Sequence, residues 1–146
     1  MNADLSPYLI GTWRLMCYEA RTTSGEARYP LDQRVVGQLF YDARGNMSAH
    51  VMSVDRTTFA SNDSGSGTDG EVRAAFEGHL SYFGTYTVDP TSCTVTHRVR
   101  GASYPNWIGH DQIRYYHIDG PHLVLSTPPI LDGREALEYI LTWERM

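Results

Sequence analysis

Residues Val35–Ser53 read VVGQLFYDARGNMSAHVMS, two strand-like runs joined by a short polar turn. Val35–Asp42 and Asn46–Ser53 flank Ala43-Arg44-Gly45, and a short glycine-containing loop between two such runs is typical of a β-hairpin. The stretch therefore predicts an antiparallel strand pair, and it shows the pattern that the rest of the chain repeats.

Working outward from this hairpin, short runs of β-forming residues alternate with turn residues along most of the chain. Further strands are predicted at Gly11–Ala20, Arg21–Tyr29, Leu80–Val88, Cys93–Val99, Gln112–Ile118, Leu123–Thr127 and Ala136–Arg145. Eight or nine strands in up-and-down order indicate a closed antiparallel barrel. The 146 residues are enough for one domain with a real core, so we predict an all-β barrel spanning residues 1–146.

One segment departs from the strand pattern. Ser61–Gly70 is a polar stretch rich in serine and glycine, and Thr68-Asp69-Gly70-Glu71 matches a helix capping box. Apolar residues then recur at helical spacing, which predicts one short α-helix over Glu71–His79. Two interpretations fit this segment, a lid over the barrel mouth and a plug in one barrel end.

The charge balance excludes several classes of function. The chain has 12 basic and 17 acidic residues, a net charge of -5, and every basic residue is arginine. An acidic domain without a basic stripe predicts no nucleic-acid partner and no anionic membrane surface. The absence of lysine also excludes Schiff-base chemistry and a P-loop.

Targeting signals are not recognisable in the sequence. No apolar run reaches the roughly 18 residues of a membrane helix, and the first residues do not resemble a secretory leader. We therefore predict a cytoplasmic protein whose two cysteines, Cys17 and Cys93, are reduced and buried among apolar neighbours.

Strand alternation assigns the side chains that face the barrel interior. The more apolar face of Leu80–Val88 carries Tyr82 and Tyr86, and the inward stripe of Cys93–Val99 carries His97. Gln112–Ile118 leaves two alternatives. One face presents Arg114 and Tyr116, whereas the other presents Ile113, Tyr115 and His117.

These inward polar residues are the candidate site. His97 is the candidate for proton transfer, or else a core histidine bonded to a tyrosine hydroxyl. Arg114 is the candidate for holding a carboxylate or enolate, or else a structural arginine. Tyr82, Tyr86 and Tyr116 are candidates for hydrogen bonds to a ligand carbonyl, or else packing residues.

Two further expectations concern the barrel mouth and cofactors. Asn106 lies in a predicted loop, where its amide either lines the mouth or bonds its own turn. The six histidines show no metal-ligand spacing, and no dinucleotide or nucleophile-elbow motif is present. The sequence therefore predicts no metal and no cofactor.

The chain resembles the bacterial and fungal lipocalin-like domain family. The resemblance rests on Gly11-Thr12-Trp13-Arg14-Leu15, on Gly84-Thr85-Tyr86, on Pro105-Asn106-Trp107 and on the ending Trp143-Glu144-Arg145. It implies a lipocalin-like barrel whose base is closed by Arg145 stacked on Trp13, a contact that cation–π attraction favours. Related barrels include ligand carriers as well as isomerases and cyclases.

Two functional hypotheses follow. The first is a binding protein that holds a small hydrophobic or aromatic, oxygen-bearing molecule, polyketide-like or fatty-acid-like, in the lumen. The alternative is a cofactor-free isomerase, cyclase or dehydratase of a natural-product pathway that uses His97 and Arg114. A structural module with a filled lumen is a third, weaker hypothesis, and exposed aromatic residues make a homodimer a further one.

Overall fold

The computed structural model describes residues 6–146, and ten strands with one α-helix form most of their regular structure. The elements in chain order are β1 (Gly11–Thr22), β2 (Ala27–Arg28), β3 (Val35–Tyr41), β4 (Asn46–Ser53), α1 (Asp69–Glu77), β5 (His79–Asp89), β6 (Thr94–Ala102), β7 (Asp111–Asp119), β8 (His122–Ser126), β9 (Ile130–Asp132) and β10 (Glu135–Arg145). Short 3-10 helices cover Ser6–Leu9 and Pro105–Trp107.

Eight of these strands close into an antiparallel barrel. The order around it is β1-β3-β4-β5-β6-β7-β8-β10, and β10 pairs back with β1 from Trp13↔Arg145 to Thr22↔Leu137. The short strand β2 pairs with the end of β1, and the short strand β9 pairs with the start of β10. The predicted all-β, lipocalin-like up-and-down barrel with one short helix is therefore confirmed.

The hairpin predicted at Val35–Ser53 is confirmed, and its strands pair with Val35 opposite Ser53 and Tyr41 opposite Met47. The Asp42 carboxylate fixes its turn, because it accepts hydrogen bonds from the backbone N–H groups of Arg44 at 2.9 Å and Asn46 at 2.8 Å. Local side-chain bonds of this kind explain why the sequence alone located the turn correctly.

The predicted return strand at Arg21–Tyr29 is wrong in extent. β1 continues to Thr22, and only Ala27–Arg28 pairs back with it. Pro30 follows almost at once and cannot donate a ladder hydrogen bond, which is consistent with so short a strand. Strand β9 was not anticipated, since its three exposed residues show no burial pattern.

The prediction of a buried Cys93 is also wrong, because Cys93 is exposed and precedes β6. The Asp89 carboxylate accepts from the backbone N–H of Thr91 and the hydroxyl of Ser92, and this extends the turn through Cys93. Cys93 itself has a φ of 54°, which no strand residue adopts. Cys17 is half-buried in β1.

The predicted helix forms, but it both starts and ends two residues earlier than expected, and His79 begins β5. The capping box is present, with Thr68 accepting from the Glu71 N–H and the Glu71 carboxylate accepting from the Thr68 N–H. No residue of α1 is buried, and Val72 and Phe76 remain about half exposed. The helix therefore lies on the surface and does not plug the barrel.

The end of the barrel at the start of β1 is closed by packed side chains. Trp13 is fully buried, and its Nε1 donates to the Leu9 carbonyl at 2.9 Å. The Arg145 guanidinium lies 4.1 Å from the Trp13 ring centroid and donates to the carbonyls of Ile10 and Tyr8. Gly11 has a φ of +141°, and a Cβ there would lie 2.6 Å from Arg145 Nη1. The glycine of the Gly-x-Trp opening thus leaves room for the arginine.

No helix within residues 6–146 is both long and apolar enough to cross a membrane.

Candidate functional site

A cavity of about 650 Å³ occupies the barrel lumen and reaches the end opposite Trp13 and Arg145. Its rim comes from three connections, with Pro30 before β3, Tyr104 and Trp107 between β6 and β7, and Ile130–Asp132 before β10. The volume lies within the range of small-molecule sites, roughly 300–1,000 Å³. The hypothesis of a filled lumen is therefore wrong.

The cavity walls are mainly apolar and aromatic. Inward residues from six of the barrel strands contribute Tyr18, Leu39, Ala49, Val51, Leu80, Leu125, Leu141 and Trp143. These are the alternate positions of their strands, as the pleat requires. Such a surface favours an aromatic or otherwise hydrophobic ligand over a strongly hydrated one.

Arg114 places one charge in this wall. The structure decides between the two faces of Gln112–Ile118, since Arg114 and Tyr116 point inward and only 9% of Arg114 is exposed. The guanidinium donates to the Ile113 carbonyl at 3.0 Å and to Gln112 Oε1 at 3.4 Å, and it lies 5.9 Å from the Trp107 ring. Among residues 6–146, no carboxylate forms a salt bridge with it.

A buried cation with neutral partners retains unused donors. Arginine carries five N–H donors in a planar fork, and the two contacts above use only part of them. The arrangement is therefore suited to an oxygen of a ligand that is negatively charged or strongly polarised.

His97 is fully buried and lies at the centre of a hydrogen-bonded group with two tyrosines. Its Nε2 lies 2.5 Å from the Tyr41 hydroxyl, and its Nδ1 lies 2.8 Å from the Tyr82 hydroxyl. Tyr82 lines the cavity, whereas His97 is not among the lining residues. The histidine thus meets the lumen through a tyrosine.

Burial decides the protonation state of this histidine. Desolvation, assisted by the Arg114 charge, lowers the pKa of His97 to about 3. Burial also raises the pKa of Tyr41 and of Tyr82, although Arg114 opposes the shift in both. All three side chains are therefore neutral at physiological pH.

Trp143 provides a second unusual donor. It is 1% exposed and lines the cavity, and its register opposite Leu15 and Leu123 places it toward the closed end. Among the described residues its Nε1 has no hydrogen-bond partner. Since buried polar groups are nearly always bonded, this N–H is a candidate donor to a ligand.

Most cavity residues were not singled out by sequence reasoning as site residues, and three of them with a hydroxyl or an indole N–H are Tyr18, Tyr139 and Trp143. Tyr18 lines the wall and burial raises its pKa to about 12, and Tyr139 donates to Asp132 Oδ2 at 3.2 Å near the rim. Trp143 is the third. Alternation in β10 was the available signal for Tyr139 and Trp143, but it does not distinguish a packing position from a cavity position. In β1 the irregularity between Leu15 and Cys17 shifts the alternation, so strict alternation from Trp13 would have pointed Tyr18 outward.

The remaining sequence candidates lie away from the cavity lining. The Tyr86 hydroxyl donates to the Asp42 carbonyl at 2.6 Å, beside the β3–β4 turn. Tyr116 is inward and buried, and Asn106 is exposed on the short 3-10 helix. No residue of 54–78, which includes Ser61–Gly70, lines the cavity either, so the structure gives the lid interpretation no contact with the lumen.

Within residues 6–146, no three His, Cys, Asp or Glu side chains lie close enough together to hold a metal ion.

Comparison with known proteins gives two findings. A family model described as a lipocalin-like domain matches residues 10–146. A protein of Aspergillus oryzae (strain ATCC 42149 / RIB 40), named 4'-hydroxy-3'-methoxypropiophenone carrier protein ppsC, is 39% identical over 108 residues, which is 68% of this chain and 96% of the relative. No solved structure matches the chain.

Proposed function

Since this chain belongs to the lipocalin-like domain family, we propose that it is a carrier that binds a small hydrophobic, oxygen-bearing molecule in its barrel lumen. The observation that carries the proposal is Arg114, a buried cation that lines an apolar cavity and has no carboxylate partner among residues 6–146. A ligand oxygen on Arg114 would compensate a charge that the protein compensates only with neutral groups.

An aromatic, polyketide-like ligand fits the cavity better than a fatty acid. Tyr18, Tyr82, Trp107 and Trp143 all line it, and aromatic rings pack favourably edge-to-face or offset. The Aspergillus relative is named as the carrier of an aryl ketone, which supports the same ligand class for this chain. A cavity of about 650 Å³ holds one such molecule.

The geometry favours a carrier over the alternative of a cofactor-free enzyme. An efficient general base has a pKa near the working pH, whereas the pKa of His97 is lowered to about 3. Both of its ring nitrogens are already hydrogen-bonded, and it does not line the cavity. Without a proton-transfer group beside it, Arg114 is suited to binding the ligand and not to catalysing a reaction.

Calorimetric titration with 4'-hydroxy-3'-methoxypropiophenone tests this proposal. We expect the wild type to bind one molecule and Arg114→Gln to bind roughly 10- to 100-fold more weakly, because a hydrogen bond to a charged group contributes about 1.5–3 kcal/mol. The matched control is Arg98→Gln, which removes an exposed arginine from the outer face of neighbouring β6 and should bind like the wild type.

Mass spectrometry of the ligand after prolonged incubation separates the two classes of function. A carrier returns the molecule unchanged, whereas conversion that depends on Arg114 would favour the enzyme. Equal affinity of the wild type and Arg114→Gln would refute the role of Arg114 as the anchor.

A further inference from the structure

We propose that the hydrogen-bonded chain Tyr41–His97–Tyr82 holds the hydroxyl proton of Tyr82 ready for a carbonyl oxygen of the bound ligand. In this arrangement Tyr41 donates to His97 Nε2, His97 Nδ1–H donates to the Tyr82 oxygen, and the Tyr82 O–H donates into the cavity. The inference rests on the proposed function. It specifies that the ligand atom facing Tyr82 is a hydrogen-bond acceptor and not a donor.

A neutral imidazole limits how the two tyrosines can bond. One ring nitrogen carries the proton and donates, and the other accepts. One tyrosine therefore gives its proton to the ring, and the other receives a proton from it and keeps its own for another acceptor. The tautomer of His97 decides which tyrosine has the proton to spare.

The shorter of the two distances favours the Nδ1–H tautomer. The 2.5 Å contact between the Tyr41 hydroxyl and Nε2 is shorter than N–H···O bonds, about 2.7–3.2 Å, and lies at the lower limit for a hydroxyl donor. The 2.8 Å contact between Nδ1 and Tyr82 fits a bond in either direction and allows Nδ1–H to donate. Tyr41 therefore donates, and Tyr82 accepts.

Burial points the same way. Tyr41 is 2% exposed and does not line the cavity, and the acceptor that the structure gives its hydroxyl is His97 Nε2. In the other tautomer this deeply buried O–H would lose that acceptor, which is unfavourable for a buried donor. Tyr82 does line the cavity, so its hydroxyl is the one that can donate to an acceptor atom of a bound ligand.

Tyr82 and Arg114 serve the same part of the cavity. Trp107 packs edge-on against the Tyr82 ring at 5.3 Å and lies 5.9 Å from the Arg114 guanidinium. Both lining donors thus border Trp107, and a conjugated ketone between them would receive hydrogen bonds on its oxygen while its ring packs on aromatic walls. His97 is then a positioning residue that acts through Tyr82.

Two matched ligands test the inference, 4'-hydroxypropiophenone and 4-propylphenol, which differ at the carbonyl. We expect the wild type to bind the ketone about tenfold more tightly, the ratio for 1.4 kcal/mol. Tyr82→Phe should reduce this preference several-fold, to the part that Arg114 supplies, while retaining affinity for 4-propylphenol. Tyr86→Phe is the control, because the Tyr86 hydroxyl bonds the Asp42 carbonyl outside the cavity lining, and it should keep the wild-type preference.

The outcomes separate the two proposals. Equal binding of both probes by the wild type, or an unchanged ketone preference in Tyr82→Phe, overturns the acceptor site and leaves the carrier proposal intact. If the wild type binds neither probe, the carrier proposal fails for this ligand class and the acceptor site fails with it.

Nitrogen-15 NMR of the histidine rings reads the tautomer without any variant. We expect His97 to show a protonated Nδ1 and a bare Nε2, and the Nδ1–H resonance to move when the ketone is added but much less with 4-propylphenol. A protonated Nε2 in the wild type would overturn the inference, since Tyr82 would then be donating to the ring.

Discussion

At the scale of single residues, Arg114 is the side chain whose proposed role in binding opposes its effect on stability. Its guanidinium is buried in an apolar wall with only a carbonyl, an amide and an indole ring nearby. Desolvating a charge without a counter-charge is unfavourable. An apolar side chain at this position would therefore stabilise the fold more than the arginine does.

Arg114→Met tests this conflict. We expect the ligand-free variant to be more stable than the wild type by about 1–2 kcal/mol, because the desolvated charge is gone and similar volume is kept. Urea denaturation measures the change, and the same variant should lose affinity for 4'-hydroxy-3'-methoxypropiophenone. A loss of stability would instead indicate that the arginine is a structural element of the barrel wall.

His97 makes the stability of the fold depend on pH. Its pKa is about 3 in the folded chain, against an ordinary value of 6.5, so the unfolded chain takes up a proton that the folded chain refuses. The free energy of unfolding therefore falls as the pH drops from above 6.5 toward 3. Between pH 8 and pH 5 the loss from His97 alone is about 2 kcal/mol.

Urea unfolding at pH 8 and pH 5 measures this loss, and His97→Gln should reduce it by most of that amount. Burial also lowers the pKa of His79, which adds a contribution of the same sign in both proteins. The lowered carboxylate pKa values of Asp42 and Asp89 act below this range. An equal loss in wild type and variant would contradict the assignment to His97.

At the scale of elements, strands and helix differ in what holds them. The barrel strands form a closed ladder with inward side chains packed together, whereas α1 has no buried residue and depends on its capping box. Helical stability without packing is small, so α1 should open locally without disturbing the barrel.

Thr68→Ala should therefore act locally. Loss of the cap costs about 1 kcal/mol, and amide exchange in Asp69–Glu77 should become roughly fivefold faster. The melting temperature should stay within error of the wild type, as it should for the exposed control Thr57→Ala. A clear fall in the melting temperature of Thr68→Ala alone would show that the helix supports the barrel.

At the scale of the whole molecule, the barrel has one packed end and one open end. Leu9, Trp13 and Arg145 fill the first, and three connections rim the cavity at the second. A lumen built this way leaves apolar surface that only a ligand can cover, so binding and folding stability are thermodynamically linked.

Ligand should consequently raise the thermal stability of the whole domain. At 100 times its Kd a ligand adds about 2.7 kcal/mol, which corresponds to a rise of roughly 5–10 °C for a domain of this size. Differential scanning calorimetry over a ligand series measures it, and 2-methoxyphenol, which lacks the propanoyl group, should give a smaller rise. No rise at saturating ligand would mean that binding does not involve the folded lumen.

Local signals in the sequence determined most strands, most turns and the capped helix, whereas the closed base of Trp13 and Arg145 was an expectation from the family resemblance. Each local signal depends on residues close in the chain, such as Asp42 with Asn46 or Thr68 with Glu71. The inward positions of Tyr82 and His97 also followed, because alternation within one strand assigns them.

Only the tertiary structure decided which of these inward residues share a site. The inward face of Gln112–Ile118 depends on the pairing of β7 with β6 and β8, and neither partner is fixed by the composition of β7 alone. The bond from His97 to Tyr41 joins residues 56 positions apart, and Trp143 lines the cavity because strands distant in sequence surround it. A sequence pattern records which face a side chain takes, but neighbours and cavities arise only when the sheet closes.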